Sequence, residues 1–366
     1  MKKRNEKKNN CWENLEGFRY AHRGLFHQPR SASRKLNEMT GTDGRARRAA
    51  GDTGHAAGDT RRTAGDTWHV AGDVPWRDDI IRWKSEGRRI VPENSMKAFR
   101  MAVRHGFGSE LDVHLTADGK LAVFHDDSLR RMTGIDRRIA DMTWDEISKV
   151  RLIGTDSRIP LLEEVLDLYT SDAALTDRTD ARYTKRTYAG FNGLSDEAEA
   201  GIADTRTGES SGLPHRLHLP LIIELKAEKN IPMLCGKVME TLDRHPGLNY
   251  CVESFDPRVV LWLRRNRPDV IRGQLTENFM KSREAVRQWG HLMTFGMWSA
   301  APDIISRPDF ISCKFRDRKN VFIQLSHRHG VRQVNWIIKN RKELDTVDRE
   351  GGLSIFERFI PDRAEA

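Results

Sequence analysis

Four pairs of charged residues stand at the ends of short apolar runs in this chain: His22-Arg23, Glu110-x-Asp112, His125-Asp126 and Glu224-x-Lys226. The runs beside them, Phe18 to Ala21, Leu111 to Leu115, Leu121 to Phe124 and Leu219 to Ile223, have the composition of strands. Alternate residues of an extended strand share a face, so Glu110 falls beside Asp112, and Glu224 beside Lys226. The two histidines, three of the four carboxylates (Glu110, Asp112 and Glu224) and the two cations can then converge on one point. That set is the inventory of metal-assisted phosphoryl transfer, not of a packed core.

Each pair also has a plainer reading. A lone His22 before Arg and Gly is more often a turn residue, and Glu110 with Asp112 could be the wet face of an edge strand. Against the latter, Leu111, Val113 and Leu115 occupy the opposite face and imply partial burial. Glu224 and Lys226 could be a simple ion pair closing a strand. Glu93, just ahead of a helix expected from Ser95, could cap that helix or belong to the site. Phe255 and Trp336, at strand ends, could be core aromatics or pocket walls; walls are favoured. His27, His114, His218, His327 and His329 are read as surface or structural.

These residues must be positioned by alternating elements. Strands are expected at Phe18 to Ala21, Ser109 to Leu115, Lys120 to Phe124, Leu219 to Leu225, Tyr250 to Ser254, Val270 to Leu275, Phe310 to Phe315 and Val331 to Ile338. Helices are expected at Ser95 to Arg104, Trp144 to Val150, Leu161 to Tyr169, Ile231 to Arg244, Pro257 to Asn266, Ser282 to Trp289, Val321 to His329 and Arg341 to Arg349. Eight strands mostly separated by helices predict an α/β fold, a single-domain (β/α)8 TIM barrel. The site of such a barrel lies at the C-terminal ends of its strands, where the charged pairs fall.

Two stretches interrupt the pattern, at about 30–88 and 171–217. The first repeats Ala-Gly-Asp at a seven-residue period from Ala50 to Asp73, but Gly beside Asp and the lack of apolar a and d residues disfavour a coiled coil. Both read as low-complexity or polar insertions in a barrel spanning 17–360, behind a basic tail at 1–16. The net charge of +9 gathers there: residues 1–10 carry five Lys/Arg and one Glu, and residues 30–90 carry thirteen Lys/Arg and nine Asp/Glu. No basic stripe interleaved with aromatics remains, so no nucleic-acid partner is expected. No run approaches the ~18 apolar residues of a spanning helix. A cytoplasmic location is expected, and peripheral membrane contact has no support in the sequence. Cys11, Cys235, Cys251 and Cys313 lie far apart, which argues against a zinc site or a disulfide framework.

Taken in order, the motifs resemble the glycerophosphodiester phosphodiesterase family, in its small cytosolic form with two insertions. The matching stretches are Tyr20-Ala-His-Arg-Gly24, Pro92-Glu-Asn-Ser95, Glu110-Leu-Asp-Val113, Val123-Phe-His-Asp-Asp127, Ile222-Ile-Glu-Leu-Lys226 and Glu253-Ser-Phe255. The resemblance implies His22 and His125 as general acid and base, and Glu110, Asp112 and Glu224 as ligands of a divalent cation, Mg²⁺ or Ca²⁺. Arg23 and Lys226 would hold phosphate oxygens, and Glu93, Phe255 and Trp336 would meet the substrate. The implied reaction is hydrolysis of a small-molecule glycerophosphodiester to glycerol 3-phosphate and an alcohol, through a cyclic phosphate. Two alternatives stay open: lysophospholipase D-like cleavage of lipid phosphodiesters, and a non-catalytic barrel that binds a polyanion. The chain departs from the family pattern in the long stretch after His22. It departs again after Trp336, where Ile337-Ile338-Lys339-Asn340 replaces a Thr-Val-Asn-like run.

Overall fold

The computed structural model of the chain describes residues 12–28, 89–177, 216–278 and 305–361. The start of the basic tail, the Ala-Gly-Asp repeat, residues 178–215 and the helix expected at Ser282 to Trp289 lie outside the described residues. Eight parallel strands close into a ring: β1 (Arg19–Ala21), β2 (Gly108–Leu115), β6 (Leu221–Leu225), β7 (Tyr250–Ser254), β8 (Arg272–Thr276), β9 (Phe310–Lys314), β10 (Arg332–Ile338) and β11 (Leu353–Phe356). Tyr20 pairs with Gly108 on one side of β1 and with Ile355 on the other, which completes the barrel.

The strand count matches the expectation, but the set does not. Leu121–Val123 (β3) pairs antiparallel with β2, Val113 opposite Val123, so it stands outside the ring. The physical reason is the tight Thr116-Ala-Asp-Gly119 connection, since parallel neighbours need a crossover of a dozen or more residues. The eighth barrel strand is instead Leu353–Phe356, beyond the terminal helix. A four-residue run containing Ser354 gives too little alternation to stand out. The ends of the second polar stretch are also ordered locally: β4 (Leu175–Asp177) and β5 (Arg216–His218) form an antiparallel pair.

Helices follow the strands much as their caps dictate: α1 (Met96–Arg104), α2 (Arg130–Thr133), α3 (Trp144–Ser148), α4 (Leu162–Thr170), α5 (Ile231–Asp243), α6 (Pro257–Asn266), α7 (Val321–Arg328) and α8 (Arg341–Glu350). The Ser95 side chain accepts the Ala98 N–H to start α1, Thr143 and Glu146 form a capping box on α3, and Asp256 with Pro257 opens α6. Outside the ring, Leu111, Val113, Ile223 and Val252 pack against Leu166, Val238 and Val259 of the helices.

Register builds the interior in layers. Asp112 pairs with Glu224, and Glu224 with Glu253, so three carboxylates stand side by side on one face of neighbouring strands. Two residues earlier on the same faces, Ile222 and Cys251 join Tyr20, Phe310, Val334 and Ile355 in an apolar cluster with Trp12 and Leu15. The lumen is therefore apolar toward the strand starts and acidic toward the strand ends. Gly273 faces Glu253 across the next pair, and a methyl group there would come within 2.1 Å of the Phe310 ring. Its bare backbone is what lets Phe310 fill the lumen.

Candidate active site

Every strand of the ring sends a residue to one cavity of about 570 Å³, from His22 after β1 to Glu357 after β11. The turn after β1 is held by unusual backbone: Arg23 has φ +54° and Asn94 φ +52°, and the Asn94 N–H donates to the Arg23 carbonyl at 2.9 Å. Gly24, at φ +75°, presses so closely on α1 that a Cβ would lie 2.8 Å from the Ala98 carbonyl carbon. Left-handed conformations at non-glycine residues are uncommon and cluster at functional sites. Here they aim the Arg23 N–H at Glu110 Oε2, 3.0 Å away.

Glu110, Asp112 and Glu224 are all buried, and one oxygen from each lies within 4.8 Å of the other two. Lys226 Nζ bridges two of them, 2.8 Å from Asp112 and 2.6 Å from Glu224. The ion pair read as the plain alternative for Glu224 and Lys226 thus exists, inside the acidic cluster. Burial, then the charge of Asp112, pushes Glu110 well above the usual carboxylate range, and burial lifts Glu224 to about 7 against the pull of Lys226. Asp112 resists the same burial and is held low by Lys226, with Arg23 adding to the pull. Glu253 is lifted to about 8 by burial and by Glu224, and its buried Oε2 has no hydrogen-bond partner. Four carboxyls with too little positive charge among them fit a divalent cation, which three hard oxygens would bind as Mg²⁺ or Ca²⁺.

Both histidines are backed by a carboxylate. His22 Nδ1 is 3.0 Å from Glu357, and its Nε2 faces Glu110 at 3.9 Å. His125 Nδ1 is 2.6 Å from Asp126. With Nδ1–H donated to those partners, each Nε2 carries the lone pair. Burial, then Arg23, lowers the His22 pKa, and burial with Arg23 and Lys226 lowers His125 to about 4, which favours the neutral form of both rings.

Glu93 does not cap α1, a role Ser95 fills; it is buried between two guanidiniums. Oε1 meets Arg23 at 2.7 Å and Arg131 at 2.5 Å, and Oε2 accepts from Gln28 at 2.6 Å. Arg131 also clamps Asp126, at 2.5 Å from Nε, so a chain runs from Arg23 through Glu93, Arg131 and Asp126 to His125. Phe255 and Trp336 meet edge to face, centroids 6.0 Å apart, on the far wall of the cavity. Sequence reasoning assigned no role to Asp126, Arg131, Glu253 or Glu357. Asp126 and Glu253 sit inside motifs already singled out, Glu357 follows the strand that went unrecognised, and Arg131 carries no signal of its own.

The chain is thus a (β/α)8 barrel with a carboxylate cluster and two carboxylate-backed histidines at its C-terminal mouth. Residues 86–194 match the family model of the Glycerophosphoryl diester phosphodiesterase family. The chain is 38% identical over 111 residues to a Glycerophosphodiester phosphodiesterase of Bacillus altitudinis, covering 27% of this chain and 44% of the relative. It is 37% identical over 90 residues to the human Lysophospholipase D GDPD1, covering 21% and 29%. The chain thus spans less than half the length of these curated relatives. A solved Thermotoga maritima glycerophosphodiester phosphodiesterase superposes over 77% of this chain and 92% of its own, at 20% identity and TM-score 0.45. An Oleispira antarctica phosphodiesterase in complex with the product sn-glycerol-3-phosphate covers 73% and 87%, at 16% identity and TM-score 0.48.

Proposed function

We propose that this chain hydrolyses glycerophosphodiesters to glycerol 3-phosphate and an alcohol, with His22 and His125 as the acid/base pair. The observation that carries the reading is the shared cavity mouth: two carboxylate-backed imidazoles, His22 buried and His125 partly so, beside the cluster of Glu110, Asp112 and Glu224. Those three residues would hold a divalent cation, and such an ion supplies charge neutralisation and activation at a phosphoryl oxygen. Arg23 and Lys226, both fully protonated, add positive charge for the phosphate, their pKa values raised against burial by Glu93 and Asp112 for Arg23 and by Asp112 and Glu224 for Lys226.

A neutral imidazole with Nε2 free is a competent base. One histidine takes the proton of the attacking glycerol hydroxyl; the hydroxyl oxygen bonds to phosphorus and the alcohol leaves with a proton from the other histidine. The second ring must be protonated when substrate binds. A bound phosphodiester anion favours this, because it offsets Arg23 and Lys226, two of the influences that keep His125 neutral. Water then opens the cyclic phosphate with the histidine roles exchanged. Glu357 and Asp126 stabilise each imidazolium in turn, as a buried aspartate does in a triad.

The test is release of glycerol 3-phosphate from glycerophosphoglycerol or glycerophosphocholine by the purified chain with Mg²⁺, Ca²⁺ or Mn²⁺. His22→Ala and His125→Ala should each lose about 10²-fold or more in kcat. No turnover with any of the three metals sinks the proposal. Activity confined to lysolipids would favour the second reading, lysophospholipase D-like cleavage, which the similarity to a human lysophospholipase D supports.

A further inference from the structure

We propose that the outer half of the cavity selects a leaving alcohol that carries negative charge, so that anionic glycerophosphodiesters are preferred over those ending in a quaternary ammonium. The inference rests on the hydrolase reading and adds the class of alcohol. Beyond Phe255 the cavity wall is made by Trp336, Glu277, Lys314, Arg316 and Lys339. An aromatic face is what a quaternary ammonium seeks, but Lys314 Nζ already lies 5.2 Å from the centroid of Trp336. The chain's own cation holds that place.

The remaining charges point the same way. Glu277 pairs with Lys314, and Glu357 with His22 and Arg358. Glu343 accepts the Lys339 backbone N–H at 2.8 Å at the start of α8. Among the described residues on this side, Glu277 and Glu357 are thus ion-paired, and Glu343 is held by the backbone at the start of α8. Arg316 and Lys339, both exposed, have no ion pair among the described residues. Their field is felt within the wall: burial, then Arg316, pulls Lys314 down to about 8 against the charge of Asp317, and Lys339 adds to the pull. An entering trimethylammonium meets two unmatched cations and an occupied aromatic face. An entering carboxylate or phosphate meets two unmatched partners.

Three esters of one length separate the outcomes: glycerophosphocholine, glycerophosphopropanol and glycerophospho-3-hydroxypropionate, assayed with the full chain and Mg²⁺. The carboxylate-ended ester should show kcat/KM about tenfold above the choline ester at low ionic strength, with the ratio shrinking in high salt. In the double variant Arg316→Gln, Lys339→Gln the ratio should fall close to one, through a rise in KM for the anionic ester. A choline ester turned over equally well or better overturns the inference alone, as does a ratio that survives the double variant. No turnover of any of the three removes the hydrolase reading and this inference with it.

Discussion

Replacing Glu93 by Gln tests whether the ion-pair chain behind His125 stabilises the barrel, and its cost can be approached in two ways. The Glu93 carboxyl, 3% exposed, is lowered from 4.5 to about 2: burial opposes ionisation, and Arg131 and Arg23 overcome it. At 1.36 kcal/mol per pKa unit, that displacement is worth about 3 kcal/mol of folding stability. Alternatively, removing one partner of a buried ion pair costs about 3–5 kcal/mol because the other charge is left unmatched. Here two guanidiniums would be stranded, so the routes agree on about 3 kcal/mol. A folded-state pKa below the unfolded one gives stability that is present above pH 4.5 and lost as pH falls toward 2. Urea unfolding followed by tryptophan fluorescence at pH 7 should therefore show a large drop in midpoint for Glu93→Gln at an unchanged slope. The gap to wild type should narrow as pH falls from 4.5 toward 3. Adding Arg131→Met should cost less than the sum of the single changes. A loss under about 1 kcal/mol at pH 7, or a gap independent of pH, would refute the argument.

Two further outcomes follow from the site. Glu357→Gln keeps the shape but weakens the hold on a protonated His22, so kcat should fall roughly 10- to 100-fold with little change in KM, as steady-state kinetics would read; an unchanged kcat would deny Glu357 that part. Mg²⁺ or Ca²⁺ at about 100 times its Kd should raise stability by about 2.7 kcal/mol. With no ion, Glu224 and Glu253 keep protons in the folded chain up to about 7 and 8 that the unfolded chain releases near 4.5, so stability falls as pH rises between those values. The ion-dependent rise in melting temperature should accordingly grow from pH 6 to 8.5, and a rise independent of pH would count against these carboxyls as the ion's seat.

How far the sequence could be read depended on whether a signal was local. Pro257 to Asn266 was expected as a helix and is one over the same residues, because Asp256 and Pro257 mark its start and a Val-Val-Leu stripe runs through it. Glu110, Asp112, Glu224 and Lys226 converge as strand alternation and neighbouring register require. What stayed hidden was non-local. That Leu121–Val123 lies outside the ring depends on the tightness of the turn before it, and that Leu353–Phe356 belongs inside depends on β1 being its neighbour. Arg131 and Glu93, 38 positions apart, gain their meaning only from facing each other in the fold. Glu357 reads as an ordinary surface acid until the closing strand is recognised.

That closing strand ties the support of His22 to the closure of the ring. His22 and its carboxylate partner lie 335 positions apart, so no fragment that ends before β11 can hold both. The ring shuts and the imidazole gains its support in the same pairing, β11 against β1. A polypeptide ended before β11 would leave the acidic lumen open and His22 without its carboxylate partner.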